Sequence, residues 1–299
     1  MIMRKITKVF SLAILVMSLA IPAATAFNLT TGIAEAASVG WMQDDNGWWY
    51  QTSDNGYYKN EWRLISDSWY HFDEIGYMSV GWIQDDGLWY YLNPEGDMAT
   101  GWLGYEGQWY HLAQENYTFN EEPYPVGAMC FGPWWFSRDD ITKEYYFDDN
   151  GVMQADKWIY LDEEWLIYKW AYYGASGEKQ KGWIKDGGDW YALEAEGGYM
   201  LANCFVAEDE YGNLFYDDGY EHNDAVALYY CDEDGKMQYG GWKEIYEQWY
   251  YLQESGVVVR NAWVGDYYLG RLGEMLTNQW IDDKYYVGSD GKWVPDKER

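Results

Sequence analysis

Tryptophan returns along this chain in alternating steps of 7 and 13 residues, and that period constrains the fold more than any other feature. Trp82 to Trp89 is 7 residues and Trp89 to Trp102 is 13, and the same two steps join Trp62, Trp69 and Trp82. Trp183 to Trp190 and Trp242 to Trp249 keep the 7, while Trp49 to Trp62 and Trp170 to Trp183 keep the 13. A fixed period of about 20 residues marks a chain assembled from one repeated supersecondary unit, whose apolar face can be buried only on its neighbours.

The unit is clearest from Gly81 to Thr100. Two β-prone runs flank Asp85-Asp86-Gly87, a composition that suits a tight turn with positive φ, so each unit is a hairpin. Gly96 lies 7 residues after the second Trp, in the turn that leads to the next unit, and matching glycines recur from Gly56 to Gly291. Composition agrees: 21 Trp and 32 Tyr stand against 9 Phe, and rings with a polar tip favour strands and half-exposed faces. A lone hairpin is marginal in water, so the prediction is an all-β solenoid of stacked β-hairpin repeats of about 20 residues. Residues 37–112 and 144–299 carry the repeats. Between them, 113–143 is an irregular insertion, read as an extended loop or atypical hairpin, and 204–228 is read as degenerate repeats.

At the N-terminus Arg4, Lys5 and Lys8 precede an apolar run from Val9 to Ile21 and then small residues, so residues 1–36 read as a secretory signal peptide. Cleavage before Phe27 or before Ala37 fits the pattern. The apolar run is shorter than the ~20 residues of a spanning helix, and the mature chain is expected to be exported without membrane insertion. The formal charge is −30; removing the leader's three basic residues and Glu35 leaves 17 basic against 49 acidic, a formal −32. Such a field repels polyanions and excludes nucleic acid as a natural partner. Cys130, Cys204 and Cys231 are too few for a disulfide framework; a Cys204–Cys231 bridge and free thiols both remain open.

The recurring string of Gly-Trp, a short polar turn, Trp-Tyr-Tyr and Gly-x-Met resembles the choline-binding repeat family, also called cell-wall-binding repeats. The match covers most of residues 40 to 299 and is fullest from Gly81 to Leu112. The resemblance implies a left-handed superhelix with ligand sites at the junctions between units. Carried over residue by residue, it implies cages of Trp62, Trp69, Met78 and Tyr90, and of Trp82, Trp89, Met98 and Tyr110. A third would hold Trp41, Trp49 and Tyr70, with Tyr58 in place of the Met. Less complete ones are Trp158, Trp170 and Tyr191, and Trp242, Trp249 and Tyr267, with Val258 in place of the Met. A quaternary ammonium has no donor to offer and is held by the negative faces of rings, each contributing ~0.5–2 kcal/mol. The implied protein is secreted and held non-covalently on the bacterial cell wall through choline-bearing teichoic acid. Related repeats in glucan-binding enzymes and clostridial toxins bind carbohydrate, which makes a surface glycan the alternative partner. A homodimer stays open.

Other readings compete with this one. Any solenoid of this composition needs its rings for cross-strand packing, so a single aromatic argues for little, and only a complete set at one junction points to a ligand. Where Glu144, Asp266 or Lys284 replaces the second Trp, packing alone or an altered specificity is expected. The turns Asp148-Asp149-Asn150-Gly151 and Asp232-Glu233-Asp234-Gly235 resemble calcium loops in composition, but lack the closing Glu, and turns need Asp, Asn and Gly anyway. No metal site or cofactor is expected. A hydrolase has no room: the irregular stretches are too short for a second core, and His71, His111 and His222 form no triad or metal pattern.

Overall fold

The computed structural model describes residues 38–115, 117–119, 122–138, 141–161, 170–217, 225–295 and 297. The expected leader, residues 1–36, and His222 lie outside them. Among the described residues there is no helix, and the strands form small antiparallel sheets of two or three strands, nearly all pairing consecutive runs of chain. The all-β hairpin solenoid predicted from the period is the fold observed.

The reference hairpin pairs Gly81–Asp85 with Leu88–Leu92, in the register Trp82↔Tyr91 and Gln84↔Trp89. Asp86 and Gly87 sit at φ 46° and 81°, the left-handed pair of a two-residue turn whose twist matches that of its strands. Leu92, the residue after Trp-Tyr-Tyr, is fully buried, as are its counterparts Phe72, Leu112, Phe147, Leu193 and Leu252. Past the hairpin, the Asn93 carbonyl accepts from Gly96 N–H at 2.8 Å and turns the chain back. The short tail then bonds on two sides: Ala99 N–H donates to Tyr91 O of its own hairpin, and Met98 N–H to Trp69 O of the preceding one, both at 2.8 Å. That second bond joins one unit to the next, which is how hairpins too small to be stable alone become a stack.

The chain divides into two compact units. One runs to Trp134 and takes in Tyr146–Met153; the other is Trp135–Tyr145 with Gln154–Arg299. Both irregular stretches turn out to hold strands. From 113 to 143 there is a short hairpin, Tyr117–Phe119 with Glu122–Tyr124, and the first strand of a longer one, Gly132–Arg138 with Ile141–Phe147. The stretch read as degenerate repeats is a single hairpin, Cys204–Glu208 with Ala227–Cys231, to whose open edge the extra strand Leu214–Asp217 is added. Cys204 and Cys231 face each other in its register, and with Cys130 they are free, buried thiols. Burial pushes the Cys204 thiol up to about 12, so the native thiols are protonated and inert.

Candidate functional site

The seam between consecutive hairpins gathers the same four side chains again and again. The first Trp of a unit meets the first Tyr of the next with ring planes 59–63° apart in the first unit: Trp41–Tyr70 at 4.8 Å, Trp62–Tyr90 at 5.0 Å and Trp82–Tyr110 at 5.0 Å. In the second the pairs are Trp158–Tyr191 at 5.1 Å, Trp183–Tyr229 at 4.8 Å and Trp242–Tyr267 at 5.1 Å. Beside each pair lies the second Trp of the earlier hairpin. Trp48, Trp69, Trp170, Trp190 and Trp249 are 41–43% exposed, an unusual state for so large an apolar ring.

The fourth member is a methionine, and the structure moves it one unit along from its expected place. The tail that bonds to the second Trp belongs to the following unit, so its Met completes the seam. Met98 N–H, not Met78, bonds to Trp69 O; Met129, not Met98, bonds to Trp89 O at 2.8 Å and packs in one cluster with Trp82, Trp89 and Tyr110. Met78 instead bonds to Trp48 O at 2.7 Å. The first junction also changes its tryptophan. Gln43 pairs across the hairpin with Trp48, as Gln84 does with Trp89, so Trp48 holds the second-Trp position and Trp49 falls on the first-Tyr position. Tyr58, expected to replace the Met there, stacks on Tyr50 at 5.6 Å and serves packing. Met200 and Met275 complete the Trp158/Trp170 and Trp242/Trp249 junctions, each bonded to the second Trp carbonyl, and Val258 bonds to Leu228 O instead.

One complete set was missed in the sequence, Trp183, Trp190, Tyr229 and Met237, and so was a seam of the exposed Trp102 and Trp109, where Met153 N–H donates to Trp109 O at 2.8 Å. The strand inserted at Leu214–Asp217 lies between Trp190 and Tyr229 along the chain and hides the period. The junction of Trp242, Trp249, Tyr267 and Met275 forms a pocket of ≈ 260 Å³, with Asp290 from the next turn at its rim. A glycine of that next turn backs each methionine. A Cβ on Gly151, at φ 75°, would stand 2.3 Å from Met129 Sδ. Each seam thus draws on three successive repeats.

Carboxylates orient and charge the seams. Trp62 Nε1 donates to Asp85 at 2.8 Å and Trp158 Nε1 to Asp186 at 3.0 Å, fixing both indole planes. Burial, then Asp85 and Asp86, hold the Tyr90 phenol above its ordinary value; burial, then Asp148 and Glu106, do the same for Tyr110. The phenols stay neutral and the field around them favours a cation. The carboxylates of the acidic turns are spent differently: Asp148 Oδ1 accepts from Asn150 and Val152 N–H at 2.8 and 3.0 Å, and Asp232 Oδ1 from Asp234 and Lys236 N–H at 3.0 and 2.9 Å. They are turn-forming side chains.

Three junctions depart from the pattern, each with coupled substitutions. Where Leu228 stands for the second Trp, Val258 stands for the Met, and both are buried in a core cluster against Phe205 and Tyr250. Where Glu144 stands for the second Trp, Lys179 stands for the Met; their side chains are 14% and 4% exposed and pair at 3.2 Å. Tyr173 donates to Glu144 at 2.9 Å, and the Lys179 ammonium lies 3.9 Å over the Tyr199 ring. Where Asp266 stands for the second Trp, Trp293 stands for the Met.

Family models give the same result. A choline-binding repeat model matches residues 59–100 and 79–116, a second one residues 257–293, and a putative cell wall binding repeat model residues 143–153 and 240–258. No curated protein matches the chain. Among solved structures, CbpJ from Streptococcus pneumoniae is similar over 86% of this chain and 100% of its own at 24% identity and TM-score 0.51, a likeness of fold. Choline binding protein F from the same organism matches at 24% identity over 86% of this chain and 98% of its own, with TM-score 0.48. The choline-binding domain of CbpL, also from Streptococcus pneumoniae, matches at 27% over 74% and 100%, with TM-score 0.45.

Proposed function

This chain carries choline-binding repeats, and from that premise we propose that it is a secreted, non-catalytic protein that attaches to the bacterial cell wall by caging choline groups of teichoic acid in the seams between its hairpins. The observation that carries this reading is the recurrence of one set, two tryptophans with the Tyr and Met of the following unit, at three junctions in each unit with matching distances. Packing alone would not require the second Trp to stay so exposed, as it does at five of these six seams, Trp89 being half-buried. A quaternary ammonium needs ring faces, a polarizable wall and no acceptor, and the set supplies these. Single seams are weak, and a polymer that displays choline repeatedly gains by engaging several at once.

The leader read at residues 1–36 supports export. The one buried Cys–His pair among the described residues is consistent with a non-catalytic reading: Cys130 and His111 lie 3.6 Å apart, the thiol pushed up by burial and the imidazole pushed down to about 4. Both are neutral and beyond the reach of a substrate. Calorimetric titration with choline chloride tests the reading. Several saturable events are expected, and Trp89→Ala should remove one of them in folded protein. Heat from short glucans but none from choline would replace choline with a surface glycan as ligand.

A further inference from the structure

We infer that the last junction, formed by Trp263, Asp266, Tyr285 and Trp293, binds a protonated primary amine in preference to a quaternary ammonium. The inference rests on the cage reading only for the idea that a seam takes a cation. Trp263 meets Tyr285 at 5.7 Å and 81°, and Tyr285 meets Trp293 at 6.0 Å and 82°, so Tyr285 stands in edge-to-face contact with both tryptophans. Trp263 and Trp293 are 36% and 42% exposed, and Asp266 is exposed. Trp293 N–H donates to Asp266 O at 2.7 Å, the bond that Met98 makes to Trp69 O elsewhere. The second tryptophan of the set has in effect changed strands, and a carboxylate has taken its place.

The Glu144 junction shows what cation suits that exchange. There a carboxylate at the same backbone position holds a primary ammonium, Lys179 Nζ, at 3.2 Å while the Tyr199 ring covers it at 3.9 Å. A carboxylate offers an acceptor that only a cation with N–H bonds can use, and such charge-assisted bonds are about twice as strong as neutral ones. A quaternary ammonium cannot exploit it. At the last junction the Lys179 position is taken by Trp293, so the ammonium must come from outside. Lys284, which is exposed, places its own ammonium 4.8 Å over the Tyr285 ring, so that ring already receives a primary amine and its tether competes with a ligand.

Indole N–H resonances of the full chain, assigned through Trp263→Phe, Trp293→Phe and Trp89→Phe, read each site separately. Ethanolamine hydrochloride should move the Trp263 and Trp293 resonances at on the order of threefold lower concentration than choline chloride at matched salt, with the order reversed at Trp89. Asp266→Asn should abolish the preference, and Lys284→Gln should tighten ethanolamine binding. Trp263 and Trp293 resonances that respond to neither ligand, or that favour choline as Trp89 does, would overturn the inference. If Trp89 alone is silent to choline, the general cage reading fails while the amine preference at Trp263 and Trp293 stands on its own resonances.

Discussion

Residues at the seams are constrained from several directions, so single substitutions there have readable costs. Gly151→Ala forces a Cβ onto a backbone at φ 75° and to within 2.3 Å of Met129 Sδ. A loss of about 1–3 kcal/mol in urea unfolding is expected, together with weaker choline binding at the Trp82/Trp89 seam that Met129 lines. His111 makes a pH prediction. Burial depresses its folded-state value from 6.5 to about 4, so the unfolded chain binds the proton first as acid is added. Its contribution to stability is complete above pH 6.5 and is lost as pH falls through 4, amounting to about 3 kcal/mol. Urea midpoints measured between pH 6.5 and 5, before most carboxylates titrate, should fall in the wild type and hold more nearly level in His111→Gln; an imidazole titrating near 6.5 by NMR would contradict the assignment. At this scale the sequence was legible wherever a side chain's role follows from spacing along one strand. The choice of Trp49 over Trp48 failed because two adjacent tryptophans each satisfied one step of the period, the 13 and the 7, and only the pairing of Gln43 with Trp48 decides between them.

Elements carry the next level of constraint, since the tail after each hairpin bonds backward to the preceding one. That backward bond is why hairpins and their turns could be read from local residues while the methionine of each cage could not. Both Met78 and Met98 fit the spacing, and which one touches Trp69 is decided by the hydrogen bond across the seam. Insertions blur the period for the same reason. The excursion through Tyr117–Tyr124 delays Met129, and the strand Leu214–Asp217 delays Tyr229, yet the three-dimensional frame is kept because the chain rejoins the seam at the same backbone position. The Glu144–Lys179 seam gives a test at this level. Lys179→Met leaves the Glu144 carboxylate buried with only the Tyr173 hydroxyl, and a loss of about 3–5 kcal/mol is expected. Lys179→Met combined with Glu144→Trp restores the pair of residue types found at the other seams and should recover most of that loss. A double variant no more stable than the single one would show that the ion pair and the Trp–Met pair are not interchangeable solutions.

For the molecule as a whole, what matters is that sites belong to units and not to the chain in general. Three seams with a close Trp–Tyr pair fall in each compact unit, the first unit adds the Trp102, Trp109 and Met153 seam, and a ligand bound at a seam bridges consecutive hairpins. Ligand that binds the folded form alone stabilises by mass action, about 1.4 kcal/mol per site when its concentration is ten times Kd. Near saturation, the gain in unfolding free energy per unit of ln[choline] approaches RT multiplied by the number of sites released together. Urea unfolding followed at increasing choline should therefore give a limiting slope of about three RT for the second unit and about three to four RT for the first, where each unfolds as a cooperative block. Trp89→Ala lies in the first unit and should lower that unit's slope by about one RT while leaving the second unchanged. A slope that falls equally in both transitions would mean that the seams act through one cooperative block, and a slope near zero with a folded protein would mean that the exposed tryptophans do not hold choline at all.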